Sequence, residues 1–347
     1  MTAPSSTLRS RRSYLRVIGS FVLLLLGVLA VAPTIGPTKI DLVNALTSDL
    51  AFSDNVDANI LFLARLPRIL LAAVTGAALA VAGVVLQALL RNDLAAPFTL
   101  GVSSGAALGA VVAIRLGIAS TFLGFSAVPA AAFLGALGAI VLVFSLVRTR
   151  QGQFPTSVLL LAGVTVNFFF AAMVMLTHYF SNITQSFQIV RWLMGGLDIT
   201  DYKTLLSICP PVFLGIAILL FFARDLNVIS AGTQTALSRG VDVAKVQKLG
   251  FIAASLITGM VVAISGPITF VGLIVPHIVR RMIGPDHRVL IPASMLFGAS
   301  FLIACDTAAR TIIAPTEIPV GILTAIIGGP FFIWLLKRRV TFQKDNE

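Results

Sequence analysis

Charged side chains are scarce in this sequence. Only 11% of its 347 residues are Asp, Glu, Lys or Arg, and 57% are hydrophobic, with a mean hydropathy of +0.99. A typical soluble domain carries about 25% charged residues, so this deficit excludes a water-soluble globular fold and indicates a surface that lies mostly in lipid. The formal net charge is +11. The basic residues lie in short clusters between apolar runs, which is typical of membrane topology and not of nucleic-acid binding.

Motifs for covalent or nucleotide chemistry are also missing. The sequence contains no G-x-x-x-x-G-K-[ST] phosphate loop, no H-E-x-x-H and no C-x-x-C pair. Its two cysteines, Cys209 and Cys305, both lie in apolar runs, which is typical of small buried residues and indicates nothing about the redox compartment. The three histidines are far apart along the chain. We therefore expect no metal site and no catalytic residue.

Acidic residues are rare within the apolar runs. Asp306 and Glu317 fall at or beyond the ends of such runs. A carrier driven by protons or sodium ions usually has an ionisable group near the middle of the membrane, and we find no convincing one. The sequence therefore favours a membrane conduit that binds no cofactor and receives its energy from elsewhere. An ion-coupled secondary carrier and a non-transporting scaffold are the alternatives.

Apolar runs of membrane-spanning length are abundant. A hydrocarbon core of about 30 Å requires about 20 helical residues. One such run carries Gly76, Ala80 and Gly83 at helical spacing, and small side chains of this kind line the faces where membrane helices touch. We predict ten apolar segments, at residues 17–33, 67–90, 98–116, 122–147, 156–178, 204–223, 249–265, 268–284, 289–305 and 318–336.

The basic residues support ten crossings with both termini inside. The seventh and eighth segments are separated only by Gly266 and Pro267, and together they are long for one span and short for two. Ten crossings place 18 of the 25 Lys and Arg residues inside, as the positive-inside rule requires. Fusing the two segments would move residues 337–339 outside, against that rule. The seven basic residues predicted outside are Lys39, Arg65, Arg68, Arg115, Arg191, Lys203 and Arg310.

The segments between the spans differ in character. Residues 1–16 are basic and contain no acids, which indicates a cytoplasmic tail, with an organelle presequence as the alternative. Outside, residues 39–64 predict a short surface helix and residues 179–203 a polar loop. The longest inner loop, 224–248, is patterned as two short amphipathic helices broken at Gly240. It is either a connector on the membrane surface or a docking element for a soluble partner, and its length supports docking at least as well.

Seven ordered motifs extend from residue 65 to residue 336. They are RLPR (65–68), LQALLRNDLAAPFTLGVSSGAALG (86–109), LLLAGV (159–164), RWLMGGL (191–197), SGPITFVGLIVPHIVRR (265–281), ACDTAAR (304–310) and EIPVGILTAIIGGPFFIWLL (317–336). Together they resemble the FecCD-type permeases, the membrane subunits of bacterial ABC importers for iron-siderophore complexes, haem and cobalamin. The resemblance covers about residues 60–340. It implies an all-α, BtuC-like (type II) permease fold with about ten transmembrane helices and two short cytoplasmic coupling helices. The permease domain then occupies 17–340, between cytoplasmic tails at 1–16 and 341–347.

The resemblance implies partners, and no enzymatic activity of the chain itself. Such permeases pair as dimers of identical or related chains around a central path. Two ABC ATPase subunits bind inside and use ATP, and a periplasmic or lipid-anchored substrate-binding protein docks outside. Arg65, Arg68 and Arg310 match family arginines that grip carboxylates of the binding protein. A guanidinium group suits this role because it can donate two parallel hydrogen bonds to one carboxylate; without the resemblance, headgroup anchoring is an equal alternative.

The resemblance also assigns residues on the inner side. The residues expected to couple to the ATPase are Gly232, Ala236, Arg239 and Gly240. The residues expected near the inner gate are Asn92, Leu94, Thr156 and Ser157. The chain departs from the family pattern at two of these places, since the family usually has Leu at the position of Arg239 and Pro at the position of Asp93.

These observations predict a permease subunit in the bacterial cytoplasmic (inner) membrane with both termini in the cytoplasm. An iron(III)-siderophore complex is the expected substrate, with haem and cobalamin as alternatives, because no residue selects among them. The chain is expected to rock between two arrangements when the ATPase subunits close and pull on loop 224–248.

Overall fold

The computed structural model describes residues 11–48, 52, 54–118, 121–122, 125–147, 155–198 and 201–344. Within these ranges the chain is almost entirely helical, as predicted. Ten helices correspond one to one with the ten apolar segments: α1 (Arg11–Val31), α4 (Leu66–Leu90), α5 (Val102–Arg115), α6 (Ala127–Val147), α7 (Thr156–Tyr179), α9 (Tyr202–Phe221), α12 (Val243–Ser265), α13 (Val271–Ile283), α14 (His287–Thr311) and α15 (Val320–Lys344). The shorter elements are α2 (Leu42–Thr47), α3 (Val56–Asn59), α8 (Ile183–Leu193), α10 (Ala223–Ser230), α11 (Thr233–Ser238) and the antiparallel pair β1 (Thr121–Phe122) and β2 (Phe125–Ser126).

Seven helices in the described ranges are long and apolar enough to cross a membrane, namely α1, α4, α6, α7, α9, α12 and α14. The described apolar parts of α5, α13 and α15 are shorter. The break between α12 and α13 confirms that the seventh and eighth segments are separate helices. Gly266 and Phe270 flank this break with positive φ angles of +65° and +67°, which a regular right-handed helix does not contain.

Helix α4 is the centre of the fold. All its residues from Val74 to Leu90 are buried, and it packs against α9, α12, α13 and α14. A Cβ atom added to Gly76 would lie 2.2 Å from the carbonyl oxygen of Gly298, and one added to Gly83 would lie 1.8 Å from that of Gly272. Only glycine allows the backbones to come this close. The prediction that Gly76 and Gly83 form a helix-contact face is therefore confirmed.

The predicted outer segments contain more structure than the sequence indicated. Within 39–64, α2 is followed by a helical run that continues through a π-helical turn (Ile60–Arg65) directly into α4. Within 179–203, the predicted loop contains the 11-residue helix α8 instead. Asn182 and Gln185 form a reciprocal capping box at its first turn, which satisfies two backbone N–H groups and explains where the helix begins.

The predicted tails overlap with helices. Helix α1 begins at Arg11, so residues 11–16 are helical, while residues 1–10 lie outside the described part of the chain. Helix α15 continues to Lys344, so residues 341–344 are helical as well, and residues 345–347 lie outside the described part.

Candidate functional sites at the two ends of α4

A buried charge cluster lies where the N-terminus of α4 meets the C-terminus of α14. The carboxylate of Asp306, which is 0% exposed, accepts hydrogen bonds from the Nε atoms of Arg68 and Arg310, each over 3.0 Å. Arg68 also donates from Nη1 to Oε2 of Glu317 over 2.7 Å, and Glu317 is partly exposed. The cluster therefore joins α4 to α14 through a shared carboxylate and leaves one acidic group at the surface.

Arg65 lies beside this cluster but has different partners. Its guanidinium group donates hydrogen bonds to the backbone carbonyls of Pro33 and Thr38, in the segment that follows α1. Arg65 and Arg310 are each only 3% exposed. The structure thus brings the three predicted docking arginines to one end of the molecule and pairs each of them within the chain. Their docking role stays a prediction.

A tight turn ends α4 at its opposite end. Arg91 adopts a left-handed conformation with φ of +47°, and the side-chain oxygen of Asn92 accepts a hydrogen bond from the backbone N–H of Leu94 over 2.9 Å. Asn92 and Leu94 are half-buried in this turn. Two of the four residues predicted at the inner gate therefore lie in one hydrogen-bonded turn.

Asp93 connects this turn to α13. Its Oδ1 atom accepts a hydrogen bond from Nη1 of Arg280 over 2.6 Å, and Nη2 of Arg280 donates to Oε1 of the buried Gln87 over 2.9 Å. Arg280 therefore bridges the last helical residues of α4 and the turn that follows. The residue that departs from the family's Pro therefore has a defined structural partner, 187 positions away, which no local pattern indicates.

Thr156 and Ser157, the other predicted gate residues, form the first turn of α7. Thr156 lines a small cavity of about 10 Å³ together with Leu89 and Leu90 from the end of α4. Ser157 is exposed. The structure thus places α7 close to the end of α4, and the gating role of all four residues stays a prediction.

The loop 224–248 forms two short helices, α10 and α11, as its pattern indicated, but the predicted position of the break, Gly240, was wrong. The break between them lies at Gly232, with φ of +134°, and Gly240, with φ of +76°, ends α11. Residues 243–248, assigned to the loop, are the first turns of α12. In α11 only Ala236 is buried, while Leu237 is 55% exposed and Arg239 is exposed. Helix α11 therefore presents most of its surface to the surroundings.

Helix α10 is attached to the start of α14 by polar contacts. The Nδ2 atom of Asn227 donates to Oδ1 of Asp286 over 2.8 Å, and its Oδ1 atom accepts from the backbone N–H of His287 over 2.8 Å. Hydrogen bonds from the Arg288 side chain, supported by that from Asn227, lower the pKa of Asp286 to about 2. These residues are about 60 positions apart in sequence, so no local pattern could have identified the contact.

Helices α4 and α14 connect the two ends of the molecule. Arg68 and Arg310 lie at one end of this pair, and Asp93 and Asn227 lie at the other. The 25 residues of α4 span about 37 Å, which is more than the hydrocarbon thickness of a bilayer.

This arrangement is that of a multi-pass helical membrane protein, with one polar cluster at each end of a buried central helix. The sequence model of the FecCD transport family matches residues 21–338 of the chain. The chain therefore belongs to the FecCD transport family and is a permease of the ABC importer type, which confirms the resemblance drawn from its motifs.

Known relatives and a solved structure agree with this assignment. The chain is 46% identical over 279 residues to the cobalamin import system permease protein BtuC of Halobacterium salinarum, covering 79% of this chain and 72% of the relative. It is 41% identical over 281 residues to the hemin transport system permease protein HmuU of Yersinia pestis, covering 79% and 82%. A solved ABC transporter of metal-chelate type, in an inward-facing conformation, is similar with a TM-score of 0.78 and 35% identity, covering 93% of this chain and 99% of the other.

Proposed function

We propose that this chain is the membrane subunit of an ATP-driven importer that carries an iron(III)-siderophore complex across the bacterial cytoplasmic membrane. The observation that supports this proposal is the placement of the arginine cluster and of α10 and α11 at opposite ends of α4 and α14. A binding protein can then dock at one end while ATPase subunits engage the other. Haem and cobalamin are the alternative substrates, since the relatives of this chain are named for different chelates.

Arg68 is the arginine best placed to meet a carboxylate of the binding protein. Its side chain is 12% exposed, and its Nη1 atom is held by Glu317, whose side chain is 39% exposed. A docking carboxylate would replace Glu317 on Arg68, while Asp306 would keep Arg68 and Arg310 oriented. Docking would then exchange one partially solvated ion pair for another and would leave the buried part of the cluster intact.

Helix α11 is the surface proposed to contact the ATPase subunits. It exposes Leu237 and is followed by the exposed Arg239, and it is connected to α10, whose Leu226 and Ile229 are fully buried against the core. A displacement of α11 would therefore be passed to α10 and, through Asn227, to the start of α14. A second permease subunit, identical to this chain or related to it, is expected on the other side of the substrate path, and the ATPase subunits are expected to hydrolyse the ATP.

Gly240 offers a direct test of this coupling. Its φ angle of +76° is incompatible with proline, which fixes φ near −65°. We expect Gly240→Pro to distort the turn between α11 and α12, and to separate ATP hydrolysis from uptake in reconstituted vesicles. Gly329→Ala in α15, where an added Cβ meets nothing within 4 Å, serves as the control. Normal coupling in Gly240→Pro would contradict the role of α11.

Transport is tested in proteoliposomes that contain the tagged chain with the ATPase and binding protein that co-purify with it. We expect ATP-dependent uptake of a radiolabelled iron-siderophore complex. Uptake of haem or cobalamin alone would replace the substrate assignment, and uptake without ATP would support the secondary carrier.

The topology is tested in a variant that lacks Cys209 and Cys305. An impermeant maleimide applied outside intact cells should label Glu317→Cys and should not label Leu237→Cys.

A further inference from the structure

A lateral groove of about 970 Å³ lies between α6 and α12. Its wall is apolar for most of its length, and Leu137, Val141 and Phe144 of α6 face Ile252 and Leu256 of α12 across it. Its volume is at the upper end of the range of roughly 300–1,000 Å³ that is typical of ligand pockets. The groove is therefore large enough for the hydrocarbon part of a lipid.

One end of the groove is positively charged. Lys245 and Lys248 line it from the first turns of α12, three residues apart and hence on the same side of the helix. Both are exposed, and neither forms an ion pair with an acid of the described chain. Among the described residues that line the groove, Asp242 is the one acid, and its Oδ1 atom caps α12 by accepting a hydrogen bond from the backbone N–H of Lys245 over 3.0 Å. Two ammonium groups thus lie at one end of an apolar groove.

We propose that this groove binds one anionic phospholipid, with the phosphate between Lys245 and Lys248 and an acyl chain along α6 and α12. The combination of an apolar wall with two cations at a single end matches the chemistry of an acidic lipid. Two other occupants fit less well. A helix of a partner protein would require polar groups at both ends of the groove, and a soluble anion would leave its apolar wall uncovered. The N-terminus of α12 adds positive potential at the same place. The described residues that line the groove do not include the arginine cluster or the turn after α4.

The position of the groove gives the lipid a route to influence coupling. Lys245 and Lys248 lie only a few residues after Gly240, where α11 ends. A lipid bound there would therefore hold the start of α12 against α6, next to the element proposed to contact the ATPase. This effect on coupling rests on the proposed function. Lipid binding itself can be measured without ATPase or substrate, so the lipid site and the proposed function can fail independently.

The binding test is native mass spectrometry of the purified full chain with phosphatidylglycerol or with phosphatidylcholine of the same acyl chains. We expect preferential retention of phosphatidylglycerol, weakened about tenfold in Lys245→Gln/Lys248→Gln, since each lysine adds to the attraction of an anionic headgroup. The matched control is Arg224→Gln/Arg281→Gln, which removes two exposed charges outside the groove lining and should retain the lipid. Equal retention of the two lipids, or an equal loss in both double variants, would overturn the proposal.

Val141→Trp tests the apolar wall separately, because Val141 is 68% exposed and its replacement fills the groove without disturbing the core. We expect this variant to lose phosphatidylglycerol while it keeps both lysines. Undiminished binding would show that only a surface headgroup contact exists. Displacement of the lipid by glycerol phosphate at equal concentration would assign the site to a free anion instead. A change of oligomeric state in Val141→Trp would assign this face to a second copy of the chain. Each of these three outcomes would refute the lipid site.

Discussion

Replacement of Asp306 should strongly destabilise the structure. Its carboxylate is fully buried and is shared by Arg68 and Arg310. Asp306→Asn keeps the size of the side chain but removes its charge. The new amide has a single oxygen, and its NH₂ group faces a guanidinium group that can only donate. At least one arginine therefore loses its acceptor in a region with little access to water.

The size of the effect follows from the remaining contacts. Removing one partner of a buried ion pair costs about 3–5 kcal/mol. Arg68 keeps Glu317 at 2.7 Å, whereas the other side-chain hydrogen bond of Arg310, to Oγ1 of Thr307, is 3.4 Å long. The loss therefore falls mainly on Arg310, and we expect the lower end of this range. A loss of about 3 kcal/mol corresponds to a fall in melting temperature of about 5–10 °C.

The assay is thermal unfolding of the purified chain in detergent, with Asp198→Asn as the matched control. Asp198 pairs with Arg191 over 2.9 Å, but the two side chains are 51% and 64% exposed. Exposed pairs contribute less than about 1 kcal/mol, so the control should melt within about 2 °C of the parent. If both variants had the same melting temperature as the parent, burial would not explain the effect of Asp306, and the prediction would be refuted. Asp306→Leu/Arg310→Met, which removes both charges, should recover part of the loss.

Three further predictions concern individual contacts. Glu317→Gln should release Arg68 and tighten docking of the binding protein by a few-fold in a pull-down titration, and unchanged affinity would contradict the proposed exchange of carboxylates. Asp93→Asn breaks a partly exposed pair with Arg280 and should lower stability by about 1 kcal/mol or less in thermal melts. Because the pKa of Asp286 is lowered from 3.8 to about 2, its stabilising effect is complete above pH 3.8 and is lost as the pH falls through 2. The melting temperatures of the parent and Asp286→Asn should therefore converge over that interval.

Much of the helical framework could be predicted from the sequence because lipid imposes simple rules. Backbone polar groups must be satisfied within each spanning segment, so apolar runs become helices, and all ten did. Gly76 and Gly83 were recognisable as contact residues because only small side chains permit backbones to touch. The periodicity of loop 224–248 predicted two helices, but its last six residues continue into α12, since Asp242 caps that helix.

The polar contacts could not be predicted in the same way. Asp306 was assigned to a span end, yet it pairs with Arg68, which is 238 positions away, and Asp93 pairs with Arg280, which is 187 positions away. Only the packing of α4 against α13 and α14 brings these residues together. Helix α8 was missed although Asn182 and Gln185 have the spacing of a capping box, so that signal was available in the sequence.

The packing of α4 limits how the two ends of the molecule can communicate. Its glycines touch the backbones of α13 and α14 directly, so neither contact can slide far without a clash. Asn227 of α10 is hydrogen-bonded to the start of α14, and α14 carries Asp306 at its other end. We infer that α4 and α14 move together as one rigid pair. The arginine cluster would then be reoriented as a unit when α11 is displaced, and its internal ion pairs would not need to break.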